Sequence, residues 1–315
     1  MPGTETTKIP AKIAVVGTGA IGSVYAVMFA EAGHEVWAID TWAEHVDAIN
    51  NDGLTLTGYT GDRTVAVHAS TDVSEAGSCD MYVIATKAAG AAAAARSIAP
   101  FLGSDASVVT IQNGLGAAER ITEHIHPEAL ILGVAQGFGA SMVEPGHAHQ
   151  SDMQMLRLGE LGGGVTDRLL DVADAWSAAG FPVQTFEDIE QLIWEKFICN
   201  VALGGPCLVS GLTVGELLAS DSWRPVAIGC ATEAYDVARA LGVNISFDDP
   251  VAYVDAFVAR MPDAKPSMLQ DHETGRRSEI DAINGQVPVH GRTVGVPTPH
   301  NDAICKTVRE LEENL

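Results

Sequence analysis

The hexapeptide "GTGAIG", Gly17 to Gly22, constrains the fold of this chain more than any other stretch. It follows "KIAVV" (12–16), an apolar run that suits a strand buried inside a parallel sheet. It opens a segment, about 20–33, in which Ala20, Val24, Val27, Met28 and Ala32 recur at helical spacing until Gly33. "HEVWAID" (34–40) then reads as a second strand. Strand, helix and strand within about thirty residues make a βαβ unit. Each glycine has its own reason in that setting. Gly17 permits the tight turn, Gly19 lets the backbone approach a pyrophosphate, and Gly22 allows close packing of helix on sheet. With Thr18, Ala20 and Ile21 between them, these residues bring backbone N–H groups and the positive end of the helix dipole to one place, which suits phosphate. A bare GxGxxG also occurs in ordinary turns; the strand before it and the helix after it favour dinucleotide binding.

Asp40 ends the second strand, 18 residues after Gly22. A carboxylate there accepts hydrogen bonds from an adenosine ribose and repels a 2′-phosphate. The following "TWAEHVD" holds no Arg or Lys. NAD is therefore favoured over NADP, with NADP possible and helix capping the plainer reading of Asp40.

The alternation continues through strands "MYVIAT" (81–86), "SVVTIQ" (107–112) and "LILGVAQG" (130–137), with helices at 88–99 and 115–125. Residues 138–162 read as a few antiparallel edge strands joined by turns, one of them "EPG" at 144–146. Helix 166–179 and strand "VQTF" (183–186) follow. Beyond about 187 strand signals nearly vanish, and 188–209, 213–219, 222–241, 249–260, 268–285 and 299–314 are all helical in period. The expected fold class is α/β: a doubly wound dinucleotide-binding domain over 1–187 and an all-helical domain over 188–315. Residues 1–11 read as a loose tail without the apolar core of a signal peptide.

Acidic side chains number 41 against 18 basic ones, a formal net charge of -23, and no run of Lys and Arg exists. Such a chain repels nucleic acid and anionic membrane, so neither is expected as a partner. No uninterrupted apolar run reaches the ~18 residues of a membrane span. The five scattered cysteines, with no CxxC, read as reduced thiols of a cytoplasmic protein.

Four segments carry polar groups in places that suit chemistry. Lys87 in "TKA" (86–88) and Asn113 in "QNG" (112–114) lie just past the C-terminal ends of two strands, where ligands bind in parallel sheets. A solvated Lys and an Asn-Gly turn are the plainer alternatives. "WEKFICN" puts Lys196 and Asn200 on one face of an otherwise apolar helix. A buried Lys has a lowered pKa and serves as a general acid; a Lys reaching for the surface is the alternative. "SMLQDHETGRRSEIDAINGQV" (267–287) combines Ser267, Glu279, Asp281 and Asn284 and, by pattern alone, is an amphipathic helix. His147 and His149 share one side of a possible strand, but no third metal ligand has suitable spacing, so no metal is expected.

In that order, "GTGAIG", "TKA", "QNGLG", "VEPG", "WEKFICN" and "SMLQDHETGRRSEIDAING" resemble the ketopantoate reductase (2-dehydropantoate 2-reductase) family across residues 12–314. The resemblance implies an N-terminal Rossmann domain, a C-terminal helical domain and a site in the cleft between them. It implies hydride transfer from a nicotinamide cofactor to the C2 carbonyl of a 2-oxo acid, with Lys196 protonating the oxygen. It makes Glu279 the acidic partner of Lys196, with a place among the cofactor contacts as well. It makes Ser267 and Asn200 substrate contacts, and sets Lys87 and Asn113 beside the nicotinamide half. Two family Asn positions are occupied by Gly204 and Val214. Their loss points to a larger, more apolar acid, as in the NAD-dependent D-2-hydroxyacid dehydrogenases among the family's relatives. A small-molecule 2-oxo or 2-hydroxy acid and a second copy of the chain, as a homodimer, are the implied partners. A non-catalytic NAD-binding sensor is the third reading, disfavoured because Lys196 and Glu279 are both present.

Overall fold

A computed structural model describes residues 11–313 and 315. Of the segment 1–11 read as a tail, residues 1–10 lie outside the described residues and only Ala11 is within them. The chain divides into two compact units. The first comprises residues up to Gln112 and Ala117–Ile189; the second comprises Asn113–Gly116 and Glu190–Leu315. By packing, then, four residues from the middle of the N-terminal half belong with the C-terminal half.

The first unit is a mixed sheet with helices. It runs β1 (Lys12–Val16), α1 (Ala20–Glu31), β2 (Glu35–Ile39), α2 (Ala43–Asp52), β3 (Leu54–Gly58), β4 (Arg63–Val65), β5 (His68–Ser70), β6 (Met81–Ile84), α3 (Ala91–Ile98), β7 (Ser107–Thr110), α4 (Ala117–Thr122), β8 (Leu130–Glu144), β9 (His147–Glu160), α5 (Asp167–Ala178) and β10 (Val183–Thr185). The strand order is β4-β3-β9-β8-β7-β6-β1-β2-β5, with β10 paired to β9. β8, β7, β6, β1, β2 and β5 run parallel to their neighbours, whereas β8–β9 and β3–β4 are antiparallel. The central strands are buried along most of their length, in keeping with their largely apolar sequences. α1 buries Tyr25 and Phe29 against Trp176 of α5, ring centroids 5.0 and 4.8 Å apart. Edge-on rings of this size contribute both apolar area and quadrupole attraction.

Residues 138–160 are not several edge strands. β8 and β9 form one long hairpin whose register shifts between Gly139 and Ala140 and between Met142 and Glu144. Turn residues at those shifts make the sequence look interrupted, while bulges let the ladder continue through them. The segment between Asp40 and β6 holds α2 and three short strands, of which β3 alternates apolar and polar residues and the other two are only three residues long.

The second unit is helical: α6 (Ile189–Ser210, starting at the boundary), α7 (Val214–Ala219), α8 (Arg224–Leu241), α9 (Pro250–Val258), α10 (Ser267–Glu273), α11 (Gln286–Val294) and α12 (Pro299–Glu312). α8 packs against α7, α9, α11 and α12. α6 buries Trp194, Phe197, Ile198, Val201, Ala202 and Leu208 in the core. Among the described residues it is the one helix long and apolar enough to cross a membrane, and 72% of its most apolar window is buried inside the protein. The expected helix over 268–285 is helical only at its start, and turns and irregular chain fill the rest. α10 stops at Glu273, Gly275 has φ +69°, and the chain is helical again only from Gln286. All five cysteines are buried and free.

Candidate active site

In the first unit, the C-terminal ends of adjacent parallel strands carry the cofactor candidates. β1 is flanked by β2 and β6, so the sheet continues to opposite sides of it, which is where doubly wound sheets bind ligands. Gly17 has φ +91°, and a Cβ there would lie 2.6 Å from the backbone nitrogen of Thr86. Only glycine meets both conditions. A Cβ on Gly22 would fall 2.2 Å from the carbonyl oxygen of Gly17, so the first turn of α1 presses directly on the loop. A Cβ on Gly19, by contrast, would meet nothing within 4 Å, so open space faces the loop there. Ala20 and Ile21 begin α1, whose first N–H groups have no partner within the helix.

Thr18 faces the other way. It is fully buried, its hydroxyl donates to the carbonyls of Val15 and Ile39 at 3.1 and 3.2 Å, and its N–H donates to Ile39. It braces the turn from beneath. Asp40 is half-buried just past β2, and one carboxylate oxygen accepts from the N–H of Trp42 at 3.0 Å. This turn-forming bond is the local role that the residue type offers. Lys87 is exposed just past β6. Gln112, unassigned by its sequence, donates from Nε2 to the carbonyl of Thr86 at 3.1 Å and accepts from the Thr110 hydroxyl, tying the ends of β6 and β7 together.

In the second unit, three segments meet at Lys196. Its Nζ donates to Oδ1 of Asn113 at 2.7 Å across 83 residues of sequence. Burial pulls the Lys196 pKa down to about 8, while the Glu279 carboxylate acts in the opposite direction. Gly114, with φ +84°, lies so close to the carbonyl of Ala282 that a Cβ would sit 2.1 Å from its oxygen. Leu115 N–H donates to the same carbonyl at 2.9 Å. The "QNGL" loop therefore docks on the turn that carries Glu279. That turn is anchored in turn by Asn284, which is wholly buried and donates to the carbonyl of Val201 on α6 at 2.9 Å and to Oδ1 of Asn301 at 3.0 Å. Asn301 is held by Glu233 of α8, which accepts from the N–H groups of His300 and Asn301 at 2.7 and 3.0 Å.

Asn200 lies one turn beyond Lys196 on the same face of α6, half-buried, and Ser267 is exposed at the start of α10. At Gly204, one further turn along α6, a Cβ would approach the sulfur of Met268 to 2.8 Å, so a methionine occupies the room a side chain would need. Val214 is 3% exposed. Thus Lys196, Asn113 and Glu279 form one cluster, while the glycine loop, Asp40 and Lys87 are gathered in the other unit. Asn284 and the carbonyl of Ala282 hold the cluster's parts, and the sequence signals neither role. His147 and His149 bond to the Thr57 hydroxyl, and among the described residues no three or more His, Cys, Asp or Glu side chains come together as a metal site would need.

A family model described as ketopantoate reductase PanE/ApbA matches residues 13–163, and its C-terminal counterpart matches 188–312. The chain belongs to the ketopantoate reductase family. Members of this family are oxidoreductases. A 2-dehydropantoate 2-reductase from Mesorhizobium japonicum is 32% identical, covering 95% of this chain and 97% of that protein. The crystal structure of a PanE/ApbA family ketopantoate reductase from Ralstonia eutropha superposes with a TM-score of 0.88 at 31% identity, covering 96% of this chain and 99% of that one. The ternary structure of D-mandelate dehydrogenase with NADH and anilino(oxo)acetate also reaches 0.88, at 26% identity over 96% and 98% of the two chains.

Proposed function

We propose that this ketopantoate reductase family member reduces the C2 carbonyl of a 2-oxo acid to the 2-hydroxy acid, with Lys196 as general acid. The observation that carries this is the Lys196 ammonium, held on Asn113 at 2.7 Å with its pKa near 8. General acid catalysis works best with a pKa close to the operating pH. About nine-tenths of such a group is protonated at pH 7, yet it gives its proton up far more readily than a surface lysine. An ammonium has three protons. One is directed to Asn113, and another goes to the carbonyl oxygen as that atom gains negative charge. Lys196 is left as the neutral amine and recovers a proton from solvent, and Glu279 favours that recovery by stabilising the charged form. Ser267 and Asn200 supply polar groups for the substrate carboxylate and carbonyl.

The first unit fits a nicotinamide dinucleotide. The open space at Gly19, the N–H groups at the start of α1 and the carboxylate of Asp40 suit pyrophosphate and ribose. When bound, such a cofactor supplies the hydride. Asp40, followed by no Arg or Lys until Arg63, favours NADH over NADPH. Lys87 and Asn113 belong to the nicotinamide half in this reading.

Two observations favour a second reading, an NAD-dependent D-2-hydroxyacid dehydrogenase acting on a bulkier, more apolar acid. Gly204 is covered by Met268, and Val214 is buried. The polar groups that a hydroxylated substrate chain would need are missing there. The D-mandelate dehydrogenase likeness supports the same direction. NADH oxidation with ketopantoate, 2-oxoisovalerate and phenylglyoxylate separates the two by the order of kcat/KM. Turnover of none of them with tight NADH binding would instead identify a sensor. Lys196→Ala is expected to lower kcat by about 10²–10⁴-fold with NADH binding nearly unchanged; an unchanged kcat sinks the assignment. We place homodimerisation with the helical unit, and gel filtration tests it.

A further inference from the structure

His45 of α2 is wholly buried in the first unit, and both ring nitrogens have partners. Nδ1 accepts from the N–H of Gly146, at the tip of the β8–β9 hairpin, at 2.8 Å. That bond requires a lone pair on Nδ1, so the ring is neutral and its proton sits on Nε2. Burial lowers the pKa of His45, outweighing the Thr18 carbonyl and the Asp40 carboxylate, which raise it. Nε2 lies 2.8 Å from the carbonyl oxygen of Thr18, inside the glycine loop, and donates to it. The Ser23 hydroxyl reaches the same oxygen at 3.1 Å.

The consequence lies on the other edge of that peptide unit. In a planar trans peptide the C=O of one residue and the N–H of the next point in opposite directions. Pulling the Thr18 oxygen toward the core turns the Gly19 N–H away from it, and a Cβ on Gly19 would meet nothing within 4 Å. We infer that His45 is a positioning residue for dinucleotide binding: it fixes the Thr18–Gly19 peptide plane so that the Gly19 N–H faces the pyrophosphate. The hairpin tip, through Gly146, selects the tautomer that allows this. This inference rests on the dinucleotide reading given above.

Two conservative variants separate the two nitrogens. His45→Gln places an amide N–H near the Nε2 position and keeps the donor to Thr18. His45→Asn places an acceptor near Nδ1, keeps Gly146 satisfied and loses the donor. Each lacks one hydrogen bond, so the two are expected to lose similar thermal stability. Their affinities for ADP-ribose, measured by calorimetry, are expected to differ. His45→Gln stays within about twofold of wild type, and His45→Asn weakens about five- to tenfold, the value of a single hydrogen bond. The KM for NADH follows the same order, with kcat and the KM for the 2-oxo acid unchanged. Ser23→Ala, which removes the second donor to the same oxygen, weakens ADP-ribose binding in the same direction and decides the matter should both His45 variants fold poorly. Equal weakening of Gln and Asn in step with stability, the reverse order, or no weakening in any variant overturns the inference alone. A wild-type protein that binds neither ADP-ribose nor NADH overturns the functional reading and this inference with it.

Discussion

Glu279→Gln tests the electrostatics of the candidate site directly. The change keeps the size and most hydrogen-bonding capacity of the side chain and removes its negative charge. In the wild type, burial lowers the Lys196 pKa to about 8 and Glu279 opposes that lowering. In the proposed reaction the ammonium donates the proton, so the rate is expected to fall as pH rises through this pKa. About nine-tenths of Lys196 is protonated at pH 7 and about one-tenth at pH 9, which predicts a roughly tenfold loss of kcat across that interval. Oxidation of the 2-hydroxy acid needs the neutral amine and rises over the same interval. Without the carboxylate, burial acts unopposed and the pKa falls further. A nearby opposite charge commonly moves a pKa by about 1–3 pH units, so the falling limb shifts to lower pH by at least about one. At pH 7 the protonated fraction then drops to about half or less, and it recovers toward pH 5.5. The assay is kcat for NADH oxidation from pH 5.5 to 10, at saturating substrate, with a solvent-isotope comparison at the plateau. A limb that stays near pH 8 in Glu279→Gln, or moves upward, refutes the coupling. A wild-type limb above pH 10 refutes the lowered pKa itself.

Gly114→Ala combines a left-handed backbone, costing about 1–2 kcal/mol, with a Cβ set against the Ala282 carbonyl, which breaks a hydrogen bond worth about 1 kcal/mol. We expect about 2–3 kcal/mol less stability in urea melts and a lower kcat, because Asn113 is displaced; wild-type values for both would contradict the docking of this loop on the Glu279 turn. NADH should exceed NADPH in kcat/KM, and Asp40→Arg should narrow or reverse the ratio; equal use of both by the wild type removes the role given to Asp40. With a net charge of -23, Tm should rise by a few degrees between 0.1 and 1 M NaCl as the screening length shrinks from ~10 to ~3 Å; a flat or falling Tm would mean that surface repulsion contributes little.

Features set by local spacing are legible in the residues themselves. A strand, a turn and the start of a helix lie within a dozen residues, so Gly17, Gly19 and Gly22 could be assigned to a tight turn, an open approach and a close packing without a structure. The ordered motifs likewise placed the chain in its family. Local pattern failed where distant partners decide. The stretch 268–285 has helical period, yet α10 stops at Glu273 with Gly275 in the left-handed region, and the turns that follow are held by distant partners: Asn284 bonds Val201 and Asn301, and Leu115 takes the Ala282 carbonyl. The 138–160 region read as fragments, yet paired strands carry the hairpin through its bulges. His45 gave no signal, since a lone histidine on a helix is identified only by what each ring nitrogen touches. Lys196 is the clearest case. Its place on an apolar helix was legible, but its pKa depends on how much water the fold removes and on where Glu279 and Asn113 arrive. Those residues lie 83 positions apart in either direction, and only tertiary packing brings them together.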